Sequence, residues 1–529
     1  MVNSALQIRS KNLFAYLFSF AVLVVLFSFL VIDIPTAKAA SDTCTWTGSG
    51  ADSNITTAGN WTGCDNSSVP ESGDDVVFPA GPTNKTVTLD AQIDFSDVTF
   101  SGSGYTVETT NLPDYQLYIT SSLTISGDNN TFNPFVRFFN DSGVTLTHSG
   151  TGTVFSEYIV IQPGTGDPDV TLDIQSDMSV PMIAQTTGSV GLVSKTGTGT
   201  LDITGSSITG MTATNGIEIS AGRWKCDTQH CLGSESNLIT LSAGGVPDSA
   251  VIEFAQPNLI TVASIIGDGK IAMTNVDAHV RVGNGNASGT FSGTVDGYAD
   301  SLIEIIGGTW TFTGTNTDGG NGFSSYYVNG GTFIARAADT SLGLSPFSMS
   351  SGVLGGTDLI GRLSAYGGTV APGNSPGCLY PAGDVAFTAD ASHLAIEIDG
   401  TTACTGYDVL NASGDVALNN AVLDVSVLDN YSSTYGNTFT IVQGQSVNGT
   451  FNGLADGDTF TVGNNEFRIN YTSNSVTLTD ITPEQSATIS TLASTGSSIY
   501  PATLLATSLL ALAGYFAGSR RSSRLSHKK

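Results

Sequence analysis

The sequence predicts an all-β solenoid, and three observations carry that expectation. Stretches such as VTLTHSGTGTVF, GTLDITGSSITG, TWTFTG and AVLDVSVL alternate apolar with polar residues, as strands with one buried face do. Gly, Asn and Asp punctuate them every several residues, and no amphipathic helix is evident between residues 41 and 490. Finally, Gly-Gly-Thr recurs at Gly307-Gly308-Thr309, Gly330-Gly331-Thr332, Gly355-Gly356-Thr357 and Gly367-Gly368-Thr369, in steps of 23, 25 and 12 residues. The longer steps suit one coil of a solenoid and the last about half a coil. Gly-Gly can turn a corner at positive φ, and Thr then opens a strand. Stacked coils would bury a continuous column of Val, Ile, Leu and Phe, each coil depending on its neighbours for burial.

Composition agrees with many short strands and tight turns. The 529 residues include 62 Gly, and only 12% are charged. Net charge is −28, unevenly spread. Arg9, Lys11 and Lys38 lie in the first 39 residues, and Arg520, Arg521, Arg524, Lys528 and Lys529 in the last ten. Between these ends stand 45 acids and 10 bases, a net of about −35. Such a body repels phosphate backbones, which argues against nucleic-acid binding. The acids serve solubility, with divalent-cation binding as the other use.

Residues 1–39 read as a signal peptide. Arg9 and Lys11 precede the apolar stretch LFAYLFSFAVLVVLFSFLVI. Pro35 breaks it, and Ala37-Lys38-Ala39 offers an A-x-A cleavage site before Ala40. An uncleaved anchor is the alternative. At the other end, Ile499 to Gly518 forms a second apolar segment, long enough as a helix to cross a bilayer. The basic cluster after it would stay on the cytoplasmic side, so the pentapeptide LASTG would lie just outside the membrane.

That arrangement of Leu492, Ala493, Ser494, Thr495 and Gly496, an apolar span and an Arg-rich tail resembles a sortase cell-wall sorting signal. Ala493 stands where the commonest form of the motif has proline; an alanine form is known for one sortase class. The resemblance implies that a membrane cysteine transpeptidase cleaves between Thr495 and Gly496 and joins the Thr495 carbonyl to an amine of the wall. Sortase and peptidoglycan are therefore the expected partners, with the membrane held through the C-terminal helix before sorting. A plain C-terminal anchor is the competing reading. Both place the body outside the cell.

Cysteine usage fits an exported chain. Six cysteines fall into three sequence-local pairs: Cys44 with Cys64, Cys226 with Cys231, and Cys378 with Cys404. Six allow fifteen pairings, and the local one is the expectation. Zinc is the competing use. No CxxC occurs, and His148, His230, His279, His393 and His527 are scattered, so no metal and no cofactor are expected.

A second resemblance lies in the body. Lys195-Thr196-Gly197-Thr198-Gly199-Thr200-Leu201, followed by Ile203, Thr204 and Gly205, is similar to the autotransporter-associated β-strand repeat. GGTVAPGNSPG, from Gly367 to Gly377, resembles a motif near the end of such passengers. Tyr407-Asp408-Val409-Leu410 and the strand-like stretches after it resemble the usual continuation of that motif. The opening, with Trp46 and Trp61, resembles the usual start. The likeness is strong over roughly 185–480, good over 44–80 and weak over 81–184. It implies a right-handed parallel β-helix and no enzyme. Gram-negative proteins with these repeats end in a transmembrane barrel. Here about 50 residues come after the last strand, and they form the sorting tail.

Parallel β-helices also include polysaccharide lyases and hydrolases, whose sites need Asp clustered with Arg or Lys. The best acidic groups are Asp74-Asp75, Asp167/Asp169/Asp173 and Asp456/Asp458, all in turn-like sequence with no adjacent base. Solvated turn carboxylates, weak Ca²⁺ binding and catalysis are the readings in descending order. No G-x-S-x-G elbow occurs, and Ser375 sits in a turn between Pro372 and Pro376. The four tryptophans, Trp46, Trp61, Trp224 and Trp310, are expected in the core rather than as carbohydrate platforms.

The expected organisation is therefore a signal peptide over 1–39, a β-rich, solenoid-like region over 40–184, a β-helix with the repeats over 185–378 and a C-terminal β-helix or capping region over 379–480. A linker at 481–491 leads to the sorting signal, membrane segment and basic tail at 492–529. The expected function is a non-catalytic adhesin or stalk that meets a ligand on a host or neighbouring cell. A wall-displayed glycan lyase or hydrolase and a structural coat component are the alternatives.

Overall fold

A computed structural model describes residues 41–483, except for short stretches of which 206–210 is the longest. The signal-cleavage residues Ala37, Ala39 and Ala40 and the sorting residues Leu492, Ala493, Ser494, Thr495 and Gly496 lie outside the described residues. The body is a parallel β-solenoid of about 13 turns. The coils contribute strands to three sheets, the third of which is interrupted. In the first sheet Val144–His148, Val170–Ile174, Val193–Thr196, Ile217–Ile219 and Leu238–Leu241 stack in parallel. In the second Val154–Phe155, Met178–Val180, Thr200–Ile203, Gly222–Cys226, Ala250–Phe254 and Lys270–Met273 succeed one another. In the third Val136–Phe139, Ile159–Gln162 and Ile183–Gln185 stack, and the ladder resumes at Leu259–Val262, His279–Val282 and Leu302–Ile305.

The register explains the alternation in sequence. Along the first sheet one inward ladder runs Val76, Val98, Leu123, Leu146, Leu172, Lys195, Ile219, Leu241. All eight side chains are buried. Seven are aliphatic and stack like on like, the cross-strand pairing that stabilises sheets. The eighth, Lys195, is 0% exposed. Its Nζ donates to the carbonyls of Thr196 (3.0 Å), Gly197 (2.8 Å) and Ala221 (2.9 Å), which close the corner of its own coil and the next. Burial pushes its pKa down to about 8.

Residues 81–184, where the repeat likeness is weak, continue the same ladders. Thr86–Leu89 pairs Thr106–Thr109, which pairs Thr131–Phe132, which pairs Val154–Phe155. Corners here are Ser-Gly: Ser101-Gly102, Ser126-Gly127 and Ser149-Gly150. Gly127 admits no side chain, because a Cβ would stand 2.0 Å from the Gly102 carbonyl oxygen.

The Gly-Gly-Thr repeat needs one correction. Thr309, Thr332, Val353 and Thr369 occupy one register. The third corner is therefore Ser351-Gly352-Val353, with Gly352 at φ +80°, and Gly355-Gly356-Thr357 falls at the far end of that strand. Successive coils step by 23, 21 and 16 residues, so the apparent half coil is a whole, shortened one.

Both ends of the described body are closed. At the start Trp46, Trp61, Phe78 and Phe100 pack together, with Phe78 stacked on Phe100 at 4.3 Å. Cys44–Cys64 ties the first strand to this plug. At the other end, Thr438–Gln443, Ser475–Asp480, Asn465–Tyr471 and Thr459–Val462 pair antiparallel, ending the parallel register.

Candidate functional site

The acids singled out in the sequence hold the coils together. Asp74 accepts from the backbone N–H of Asp42 (3.2 Å) and Glu71 (2.8 Å), and Asp75 from that of Asp97 (3.2 Å). Asp167 accepts from Ser189 Oγ (2.7 Å), Asp169 from Leu192 N–H (2.7 Å) and Asp173 from Thr196 Oγ1 (3.2 Å). Asp456 and Asp458 cap Tyr471 N–H (2.9 Å) and Ala455 N–H (2.7 Å). Most of these bonds bridge one coil to the next, so the carboxylates take up corner N–H groups that no strand partner reaches. Among the described residues, no group of three or more His, Cys, Asp or Glu could hold a metal ion. No helix among them is long and apolar enough to cross a membrane.

The cysteines join in the local pattern: Cys44–Cys64, Cys226–Cys231 and Cys378–Cys404. All four tryptophans are core residues whose indole N–H groups donate to main-chain carbonyls, Trp224 to Cys231 (3.2 Å) and Trp310 to Ile265 (2.8 Å) among them.

Acid–base clusters do occur, between residues about one coil apart. On the outer face of the second sheet Lys225 bridges Asp202 (2.9 Å) and Asp227 (2.7 Å). Arg223 pairs Glu253, and Lys270 pairs Asp296 (2.8 Å) and Asp248 (3.2 Å). The second oxygens, Asp202 Oδ1 and Asp227 Oδ1, are buried and accept no hydrogen bond. Burial raises the Asp202 pKa against the pull of Lys225, and nearby Asp227 raises it further. On the third sheet Glu304, 2% exposed, accepts from Arg281 Nε (2.6 Å) and Asn329 Nδ2 (2.8 Å) and meets His279 Nε2 at 2.8 Å. These pairings compensate each buried charge, which a chain with so few bases does sparingly.

One cleft of about 410 Å³ opens where the third sheet is interrupted. One wall is the chain from Leu232 to Glu235, the other is Leu259 to Thr261, and Gln229 and His230 stand beside them. The first wall is fixed in three ways: by the Cys226–Cys231 bond, by Trp224 on the Cys231 carbonyl, and by Asn237 Nδ2 on the carbonyls of Leu232 (2.7 Å) and Met211 (2.8 Å). Its volume falls in the range of small-ligand sites. No single residue in the sequence announces it, because it exists where one coil departs from the ladder.

No family model matches the chain, and no curated protein is similar to it.

Proposed function

We propose that the chain is an exported surface protein whose solenoid, right-handed as the repeat resemblance implies, serves as an adhesin or stalk, without catalysis, fixed to the cell wall through Thr495. The observation that carries this reading is the use of the acids: Asp75, Asp167 and Asp169 are engaged with groups of the neighbouring coil, and Asp456 and Asp458 with backbone N–H groups of the C-terminal antiparallel region. A low-charge scaffold consumed by its own stacking suits reach and display. At a spacing of about 4.8 Å per coil, about 13 turns would extend roughly 60 Å. The tripartite tail supplies the anchor and the N-terminal segment the export. The test is the mass of the C-terminal peptide released from cell walls by muramidase. A peptide ending at Thr495 with a wall fragment supports sorting, and an intact tail through Lys529 in the membrane fraction rejects it.

A second reading, a wall-displayed polysaccharide lyase or hydrolase, draws on the Asp202–Lys225–Asp227 cluster. Polysaccharide turnover by the protein that Asp202→Asn abolishes would establish it in place of the first.

A further inference from the structure

The interrupted third sheet leaves a strand with one side unused. Leu259–Val262 pairs only with His279–Val282 among the described residues. In the coil immediately before Leu259 the chain from 227 to 237 runs from Gly222–Cys226 to Leu238–Leu241 without a strand in this sheet. The pairing pattern tells which groups are free. His279 N–H donates to the Asn258 carbonyl (3.3 Å), so by the alternation of a parallel ladder Ile260 faces His279–Val282, and Leu259 and Thr261 face the other way. Ala263 N–H, on that same edge, reaches back to the Asn237 carbonyl of the preceding coil (3.0 Å). Between these points the preceding chain turns at Gly233, at φ +73°, and Ser234 N–H bonds the Met211 carbonyl (3.0 Å) rather than this edge. Leu259, Ile260 and Thr261 all line the resulting cleft. Consecutive residues of a strand point to opposite faces, so three in a row expose the strand's backbone edge rather than one face.

We propose that this cleft binds an extended peptide carrying a basic side chain, which completes the missing rung by main-chain hydrogen bonds to Leu259 and Thr261. Addition of a strand to an open edge is a general mode of peptide recognition. The lining residues select for it. Ile260 and Leu232 supply a buried apolar floor, and no Trp, Tyr or Phe lines the cleft as a platform on which a sugar would stack. Glu235 is exposed on the facing wall and is the one carboxylate of the cleft. A Lys or Arg side chain leaving the added strand meets that carboxylate in a body of strong negative charge, and an acidic peptide is repelled. The disulfide and the Asn237 bridge fix the Leu232–Glu235 wall before binding, which lowers the cost of ordering the site. This site is independent of how the chain is anchored, so its failure and that of the wall-sorting reading are separately visible.

The experiment uses the full chain purified in mild detergent, with a fluorescein-labelled Val-Lys-Val-Lys-Val peptide as probe. Fluorescence anisotropy measures binding, and hydrogen exchange by mass spectrometry tracks the segment 257–263. The expected result is saturable binding of the Lys peptide, slowed exchange at Leu259 and Thr261, and no binding of Val-Glu-Val-Glu-Val. Thr261→Pro removes one N–H aimed at the cleft and spares the pairing to His279–Val282; it weakens binding about tenfold. Glu235→Gln, at an exposed position, weakens it several-fold and narrows the preference over the acidic peptide. The proposal is overturned if the Leu259 and Thr261 amides are already protected in the free chain. It is equally overturned if Lys and Glu peptides bind alike, if a folded Thr261→Pro chain binds as the native one does, or if a β-1,4-linked glucose tetrasaccharide protects these amides and the peptide does not.

Discussion

Lys195 stands on the rung directly above Leu172, in a column of aliphatic side chains, with its ammonium group turned onto three carbonyls of the corner. The ladder position is apolar, and the corner above it is crowded with acceptors; a long side chain with an apolar stem and three donors satisfies both. This gives a structural reason for lysine at the head of the KTGTGTL stretch.

Lys195→Ala should cost about 3 kcal/mol, from the cavity and the three orphaned carbonyls. Lys195→Met keeps the stem and should cost less. The pH dependence has a definite sign. The folded chain releases this proton at about 8, and the unfolded chain at its ordinary 10.5. Between these values the unfolded state binds more protons, so the lysine's contribution to stability rises with pH. Thermal unfolding from pH 7 to 10 should show that rise in the native chain, and a much flatter profile in Lys195→Met.

Asp408 works in the opposite direction. It is 2% exposed and accepts from Gly377 N–H (2.6 Å) and Glu397 N–H (2.8 Å), linking Gly377 to the strand Ser392–Ile398. Burial raises its pKa from 3.8 to about 7 despite both bonds. The folded chain therefore holds the proton more tightly. Its contribution is full below about pH 4 and is lost as pH rises through about 7, a change of a few kcal/mol. Asp408→Asn should remove this part of the pH dependence, as read from denaturant midpoints at pH 4, 5.5 and 7.

Lys225 is expected to matter more than either carboxylate it joins. Lys225→Ala leaves Asp202 and Asp227 facing each other without a cation and should cost about 2 kcal/mol at pH 7. Asp202→Asn removes one of two like charges and should stay within about 1 kcal/mol of the native chain. Equal losses in urea unfolding would contradict this assignment.

The three disulfides should differ by the loops they close. Cys226–Cys231 spans 5 residues, Cys44–Cys64 spans 20 and Cys378–Cys404 spans 26. In the chain-entropy view the short loop contributes about 2 kcal/mol and the longer two more than about 3. Paired Cys→Ala variants, compared by Tm, should rank in that order.

Much of the scaffold is legible because its period is written in the chain. Alternation places the strands, and Gly-Gly-Thr at Gly307 and Gly330 gives the coil length. The same tripeptide misleads at Gly355, where the corner is built by Gly352 instead. A corner needs positive φ and a close approach, and one glycine followed by a β-branched residue suffices. The Ser-Gly steps at 101, 126 and 149 carry the period through the stretch where repeat likeness fades. The acid–base pairs escape notice for a related reason. Adjacency in sequence spans a few residues, whereas in stacked coils the neighbour lies one period away: Asp202 and Lys225, or Arg281 and Glu304, are each 23 apart. The cleft is not legible at all, because no residue type marks the place where a chain leaves its ladder.

The parallel register has a mechanical consequence. All inter-coil hydrogen bonds in the three sheets run along the stacking direction, so a pull between the first and last coils loads them as a zipper, one rung after another. A zipper yields at low force and in small steps, and each opened coil releases some twenty residues of slack. Cys44–Cys64 and Cys378–Cys404 close loops of 20 and 26 residues and shorten that slack toward either end. Under shear flow such a body would behave as an extensible damper, lengthening by whole coils while the remainder stays folded.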